Sequence, residues 1–276
     1  MTHAEIGRAV DWAAAEGWNP GLHDADCFAM VDAEGFIGGL LDGELVSSIS
    51  VVNYDPSFAF LGFYIVQPSV RGRGHGLSTW QAGIAHAGSR VIGLDGVVAQ
   101  QENYRRSGFA LAYRNIRYGG IARVPRGKPR DGCRVLPATD VPIASLLAYD
   151  RIGFPAPRPA FLKTWLTAPD HVARVLTRDG ALAGLAVARP CRKGVKVGPL
   201  FADDDASAEA LFAAVTIGFA AGTELFLDVP EINAAAVALA ESAGLTPVFE
   251  TARMYRGAPR AIDISRVFGV TSFELG

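Results

Sequence analysis

The segment Ile65-Val66-Gln67-Pro68-Ser69-Val70-Arg71-Gly72-Arg73-Gly74-His75-Gly76-Leu77 decides how this chain is read. An apolar run, Phe58–Val66, predicts a strand before it, and Leu77–Ala87 predicts a helix after it. The segment is therefore a strand-to-helix loop. Glycines at 72, 74 and 76 remove three Cβ atoms at alternate positions and open backbone conformations closed to other residues. Successive N–H groups can then converge on one anion, helped by the helix N-terminus. Arg71 and Arg73 add full positive charge. The pattern predicts a cradle for a diphosphate. No Lys-Ser or Lys-Thr follows the last glycine, so it is not a P-loop. It follows a run of strands rather than opening a βαβ unit, so it is not a dinucleotide fingerprint either.

Outward from the loop, residues 3–16 carry apolar residues at helical spacing, and Asp24 is placed to cap a short helix ending near Met30. Strands are expected at Phe36–Leu41 and Glu44–Asn53, joined by the turn Asp42-Gly43. Beyond the loop helix come a strand at Val91–Val98, a short helix at Gln100–Ser107 and a strand at Phe109–Tyr118. Residues 121–133, rich in Gly, Pro and Arg, read as a linker between a first domain, 1–120, and a second, 134–276. The second half repeats the plan: helices at Val141–Tyr149 and Ala160–Leu166, strands at Val172–Thr177, Leu182–Ala188 and Gly194–Leu200, a helix at Ala206–Ala221, a strand at Leu225–Val229, a helix at Ala234–Ser242, and strands at Thr246–Tyr255 and near Val267–Phe273. Specific residues repeat as well. Gly108, Tyr113 and Arg117 have counterparts at the same offsets in Gly244, Phe249 and Arg253, and Leu94-Asp95 matches Leu227-Asp228. A duplicated fold follows.

Composition bounds the answer. A chain of 276 residues suits two domains. A net charge of −2 and a pI near 6.2 argue against an extended nucleic-acid footprint. Cys27, Cys133 and Cys191 are scattered and odd in number, which argues against disulfides and zinc and for a reducing, cytoplasmic setting. Asp11 and Glu16 interrupt the N-terminal apolar pattern, so no signal peptide is expected, and no run nears the roughly 20 apolar residues of a membrane span.

The loop resembles the pyrophosphate loop of the GNAT superfamily of acetyltransferases, Arg/Gln-x-x-Gly-x-Gly/Ala, with Arg71, Gly74 and Gly76 in order. A second family signature, Tyr-x-x-x-Gly-Phe, is met by Tyr104-Arg105-Arg106-Ser107-Gly108-Phe109. The family's Asn-x-x-Ala pattern is absent before Tyr104, where Gln100 and Gln101 stand. In the second half Asn233-Ala234-Ala235-Ala236 supplies it, but Ala240 replaces the tyrosine, and Asp203, Asp204 and Asp205 fall where the loop should lie and would repel a diphosphate. The whole resembles tandem GNAT proteins with a degenerate C-terminal domain.

This resemblance implies an α/β (α+β) fold of two GNAT-like domains, each a mixed, mostly antiparallel sheet flanked by helices. It implies an N-acetyltransferase that moves an acetyl group from acetyl-CoA to a primary amine by direct attack in a ternary complex, without metal. Ile65, Val66, Gln67, Arg71, Gly72, Arg73, Gly74, His75, Gly76 and Leu77 would hold the cofactor, and Tyr104 would protonate the leaving thiolate. Arg105 and Arg106 are candidates for the 3′-phosphate. For the base, Asp95 and Glu102, or Asp24, Asp26 and Tyr54 from the acceptor side, stay open. Tyr149, Asp150, Arg158, Asp228 and Arg253 are candidate acceptor contacts of the second domain. The expected partner is a small-molecule or protein amine, not nucleic acid or membrane, and the chain is a monomer or homodimer. The alternative is an acyl-CoA-binding or sensing protein; Tyr104, which a binder would not need, favours the enzyme.

Overall fold

The computed structural model describes residues 1–123 and 131–276, so residues 124–130 of the expected linker lie outside it. The first half runs α1 (His3–Ala15), α2 (Asp24–Ala29), β1 (Phe36–Leu41), β2 (Glu44–Asp55), β3 (Phe58–Val66), α3 (His75–Ala87), β4 (Val91–Val97), α4 (Gln101–Arg106) and β5 (Ala110–Ile121). The second runs β6 (Cys133–Pro137), α5 (Ile143–Gly153), α6 (Pro159–Thr167), β7 (Val172–Arg178), β8 (Ala181–Pro190), β9 (Val195–Ala202), α7 (Asp205–Thr216), β10 (Glu224–Pro230), α8 (Ala234–Ser242), β11 (Thr246–Arg256) and β12 (Val267–Gly269). Helix α1 begins with a capping box: Glu5 N–H donates to Thr2 Oγ1, and Thr2 N–H donates to the Glu5 carboxylate. Its Ile6, Ala9, Val10 and Ala13 face inward.

All strands join one sheet, ordered β1-β2-β3-β4-β11-β5-β10-β9-β8-β7-β6, with β12 beside β9. The two halves exchange strands. β11 of the second half lies between β4 and β5 of the first, and β5 pairs with β10 of the second. The repeated residues explain the exchange. Asp95 on β4 binds Arg253 on β11 through two hydrogen bonds of 2.7 and 2.6 Å, and Asp228 on β10 binds Arg117 on β5 at 2.6 and 2.8 Å. Each pair is buried and joins one half to the other. The main core is shared too: Phe28 and Phe63 of the first half pack with Phe161 and Trp165 of the second.

Several bounds differ from the sequence reading: α5 runs on to Gly153, α7 ends at Thr216 rather than Ala221, and β5 extends to Ile121, into the expected linker. The segment starting at Cys133, placed at the linker boundary, is strand β6 on the sheet edge. The last strand stops at Gly269, because residues 270–276 leave the sheet and run inward as a buried tail.

Candidate active site

Strand β3 creates the site by changing phase. Phe58 and Phe60 face the core shared by both halves, while Ala59 and Leu61 face the layer under α3. After Gly62 the pattern inverts, and Phe63 and Ile65 face the shared core. The cause is a bulge: Ser50 pairs with Gly62 and Ser48 with Ile65, three steps on β3 against two on β2, with Phe63 at φ +47°. The parallel pairing of β3 with β4 ends at Leu61–Leu94, and the two strands then diverge. A cavity of about 470 Å³ opens between them, lined by Gly62–Val66, by Leu94–Val97 and by Tyr104.

The glycine-rich loop forms one end of this cavity, where Arg71, Gly72, Gly74, Gly76 and Leu77 line it. Gly74 sits at φ +88° as the residue before α3, a conformation that costs side-chain-bearing residues energy. Among the described residues, none of the N–H groups of Gly72 to Gly76 has an acceptor, so five consecutive donors are free at the start of the helix. Arg71 Nε donates to the Val66 carbonyl at 2.8 Å, and its guanidinium also holds the Glu16 carboxylate of α1. Arg71 thus braces the loop against β3 and α1. Arg73 stands exposed with no ion pair among the described residues.

Tyr104 lines the cavity from α4. Its ring stacks on Trp80 of α3, 5.8 Å between centroids. The Tyr-x-x-x-Gly-Phe signature has a structural cause. Gly108 N–H donates to Arg105 O and Phe109 N–H to Tyr104 O, the double cap that ends a helix on a left-handed glycine, with Phe109 buried against it. Burial, with a lesser contribution from Tyr64, pushes the Tyr104 hydroxyl up to about 12. It therefore keeps its proton at neutral pH and can donate it.

Of the expected cofactor residues, Ile65, Val66, Arg71, Gly72, Gly74, Gly76 and Leu77 line the cavity, whereas the Gln67, Arg73 and His75 side chains do not. Gln67 N–H is taken by Val46 O of β2. The base candidates fare differently. Asp95 reaches the cavity, but Arg253 and Asn115 occupy its carboxylate. Asp24 is a buried partner of Arg189 rather than a helix cap, Asp26 is exposed beside His3, and Glu102 pairs with Arg105 on the surface of α4. Tyr54 donates to Leu275 O. Arg105 and Arg106 point to solvent. Tyr149, Asp150, Arg158, Asp228 and Arg253 do not line the cavity; Asp150–Arg158 is a further buried pair. The second half does reach the site, through Phe249 and Thr251 of β11 and Phe273 and Glu274 of the tail. Sequence reading missed all four, because β11 reaches the site only through the strand exchange and the tail only by running back into the core.

The second half repeats the bulge and fills the opening. Ala188 pairs with Val197 and Ala186 with Leu200, again three steps against two, around Gly198-Pro199. Parallel pairing of β9 and β10 ends at Val197–Leu227, but β12 pairs with β9 beyond it, and Val270 N–H donates to Asp228 O at 2.9 Å. The chain's own backbone fills the gap that remains open in the first half. Asp203 and Asp204 are neutralised by Arg266 and Arg178. The cap of α8 is preserved, with Leu245 N–H on Ala240 O, but the tyrosine position holds alanine. Among the described residues no three His, Cys, Asp or Glu side chains gather as metal donors, and no helix is long and apolar enough to cross a membrane.

A parallel strand pair that diverges at a bulge, followed by a loop of free amides at a helix start and a tyrosine on the next short helix, is the GNAT arrangement, complete in the first half, while the second half repeats the diverging pair and the bulge. The chain belongs to the GNAT family: residues 6–110 match the acetyltransferase (GNAT) family and residues 146–269 an acetyltransferase (GNAT) domain. It is 33% identical over 266 residues to the holothin acyltransferase of Pseudoalteromonas sp. strain SANK 73390, covering 96% of this chain and 90% of that protein. Among solved structures, one from Pyrococcus horikoshii superposes over all of this chain and 94% of that one, with a TM-score of 0.82 at 20% identity. A tandem GNAT protein from the clavulanic acid biosynthesis pathway matches 80% of this chain and 82% of its own, with a TM-score of 0.56 at 14% identity. The chain is thus an acyltransferase of tandem GNAT build.

Proposed function

We propose that the protein transfers an acyl group, acetyl in the simplest case, from coenzyme A to a primary amine of a small molecule. The observation that carries this reading is the open splay of the first half, with five free amides at one end and a protonated tyrosine on its wall. The diphosphate would lie on the N–H groups of Gly72–Gly76, and the pantetheine arm along the β3 edge that β4 leaves free beyond Leu61. A backbone N–H at the bulge near Ile65 would stabilise the developing oxyanion. Tyr104 then protonates the departing thiolate. The relative acts on holothin by its name, which supports an acceptor of that scale over a protein terminus. Retention of Tyr104 in the open half, against Ala240 in the filled one, favours transfer over simple binding. Calorimetry with coenzyme A and acetyl-CoA, and thiol release across a panel of amines, tests this. Binding at micromolar levels with amine-dependent thiol release is expected; absence of any binding at millimolar coenzyme A refutes it.

A further inference from the structure

Three separate segments give the cavity aromatic walls: Trp18 after α1, Phe249 on β11 and Phe273 on the tail. Trp18 and Phe249 are half-buried and Phe273 is buried. The Phe249 and Phe273 rings lie 6.3 Å apart, tilted by 35°. One guanidinium organises all three walls. Arg117 stands 4.7 Å from the Phe273 ring centre and 5.7 Å from that of Phe249, and its Nη1 donates to the Trp18 carbonyl at 2.7 Å. Its two bonds to Asp228 fix Arg117 in turn. Rings held in place in this way favour a flat apolar body by stacking or edge contact, with little ordering left to do on binding.

The same cavity offers no free base among the described residues. No histidine lines it. Glu16 is held by Arg71 at the loop end, and Asp95 by Arg253 and Asn115. The Glu274 oxygens are shielded from the cavity, within a buried cluster where Arg117, Arg189 and Lys196 balance Asp228, Asp24 and Glu274. An alkylammonium entering between the aromatic walls would meet neither a free counter-charge nor a group to take its proton, and a charge buried without a partner is costly.

From this we infer that the acceptor is a flat amine already neutral at neutral pH, of the arylamine class, rather than an alkylammonium, and that Trp18, Phe249 and Phe273 select its ring. The inference rests on the acyltransfer reading and names the acceptor within it. A neutral amine closes the proton count with Tyr104 alone. The nitrogen lone pair attacks the thioester carbonyl carbon, the C–N bond forms, and the C–S bond breaks with its pair going to sulfur. Sulfur takes the Tyr104 proton, and the nitrogen's proton restores Tyr104. Amine and thioester become amide and thiol with no proton left over. An alkylammonium brings one proton more, which must reach solvent before attack.

Aniline and benzylamine test this, because both carry one phenyl ring while only benzylamine is protonated at neutral pH. With acetyl-CoA as donor, kcat/KM from thiol release at neutral pH should be about tenfold or more higher for aniline. It should rise about tenfold per pH unit for benzylamine as its ammonium is titrated, and stay level for aniline. Phe249→Ala should raise KM for aniline by about tenfold and leave the coenzyme A Kd within about twofold. If that variant does not fold, Phe249→Leu, which keeps an apolar side chain and loses the ring, carries the same test. An unchanged KM in the folded variant overturns the aromatic selection. Benzylamine outperforming aniline at neutral pH overturns the acceptor class and leaves the acyltransfer reading standing. Coenzyme A binding with neither amine acylated overturns the acceptor class as well. A wild-type protein that binds no coenzyme A refutes the acyltransfer reading itself.

Discussion

In the proposed reaction Tyr104 works as an acid only while it holds its proton. Its burial against Trp80 ensures that, raising the hydroxyl to about 12. The sign follows directly: a raised tyrosine pKa keeps the acid form through the whole alkaline range of an ordinary assay. The alkaline fall of kcat should therefore lie well above the ordinary tyrosine value of about 10, as a pH profile of thiol release at saturating acceptor would show. Tyr104→Phe should reduce kcat by about 10²-fold while coenzyme A affinity, read by calorimetry, is unchanged. Equal turnover of the two proteins would remove Tyr104 from the chemistry. Residue type was readable here, but a partner was not always. Asp24 sits where a helix cap belongs in sequence, yet its carboxylate is drawn to Arg189 from 165 positions away.

Among the elements, the loop between β3 and α3 is the most local in origin. Its geometry comes from positive φ at Gly72 and Gly74, which short-range chemistry dictates. Nothing lies within 4 Å of a Cβ built on Gly74, so a substitution there acts through backbone strain alone. Gly74→Ala should cost about 1–2 kcal/mol of that strain and weaken coenzyme A binding by about tenfold, with turnover at saturating donor nearly retained. Calorimetry alongside saturation kinetics checks this. The bulge in β3 was hidden for the opposite reason. Phe58–Val66 is apolar throughout, because both faces are covered, so no alternation marks the point where the phase slips.

For the whole molecule, the consequence of strand exchange is that neither half owns a complete sheet. The two buried Asp–Arg pairs stand at the crossings, and each is an uncompensated charge if one member is lost. Asp228→Asn should destabilise the protein by about 3–5 kcal/mol, visible as a single lowered unfolding transition in both halves. Burial alone would raise the Asp228 carboxyl, but Arg117 outweighs it and holds the group below the usual carboxylate value. A depressed folded pKa stabilises above the unfolded value near 3.9 and is lost as pH falls through the lower folded value. The acid limb of stability below about pH 4 should accordingly be shallower in Asp228→Asn. An unchanged limb in denaturant titrations would count against this pair as a pH-sensitive crossing.

By itself the sequence determined the parts whose causes are local. These are the duplicated plan, the glycine-rich loop between strand and helix, the double cap that places Tyr104, and the replacement of that tyrosine by Ala240 in the second half. Tertiary structure decided what depends on distant pairing. It alone shows that β11 and β5 change places, that Arg117 and Arg253 serve the opposite half, that β12 fills the second splay, and that Phe249, Thr251, Phe273 and Glu274 wall the first. The physical reason is that a strand's turns and periodicity fix its own conformation, while its neighbours are chosen by buried charge pairs and shared apolar faces that only the assembled sheet brings together.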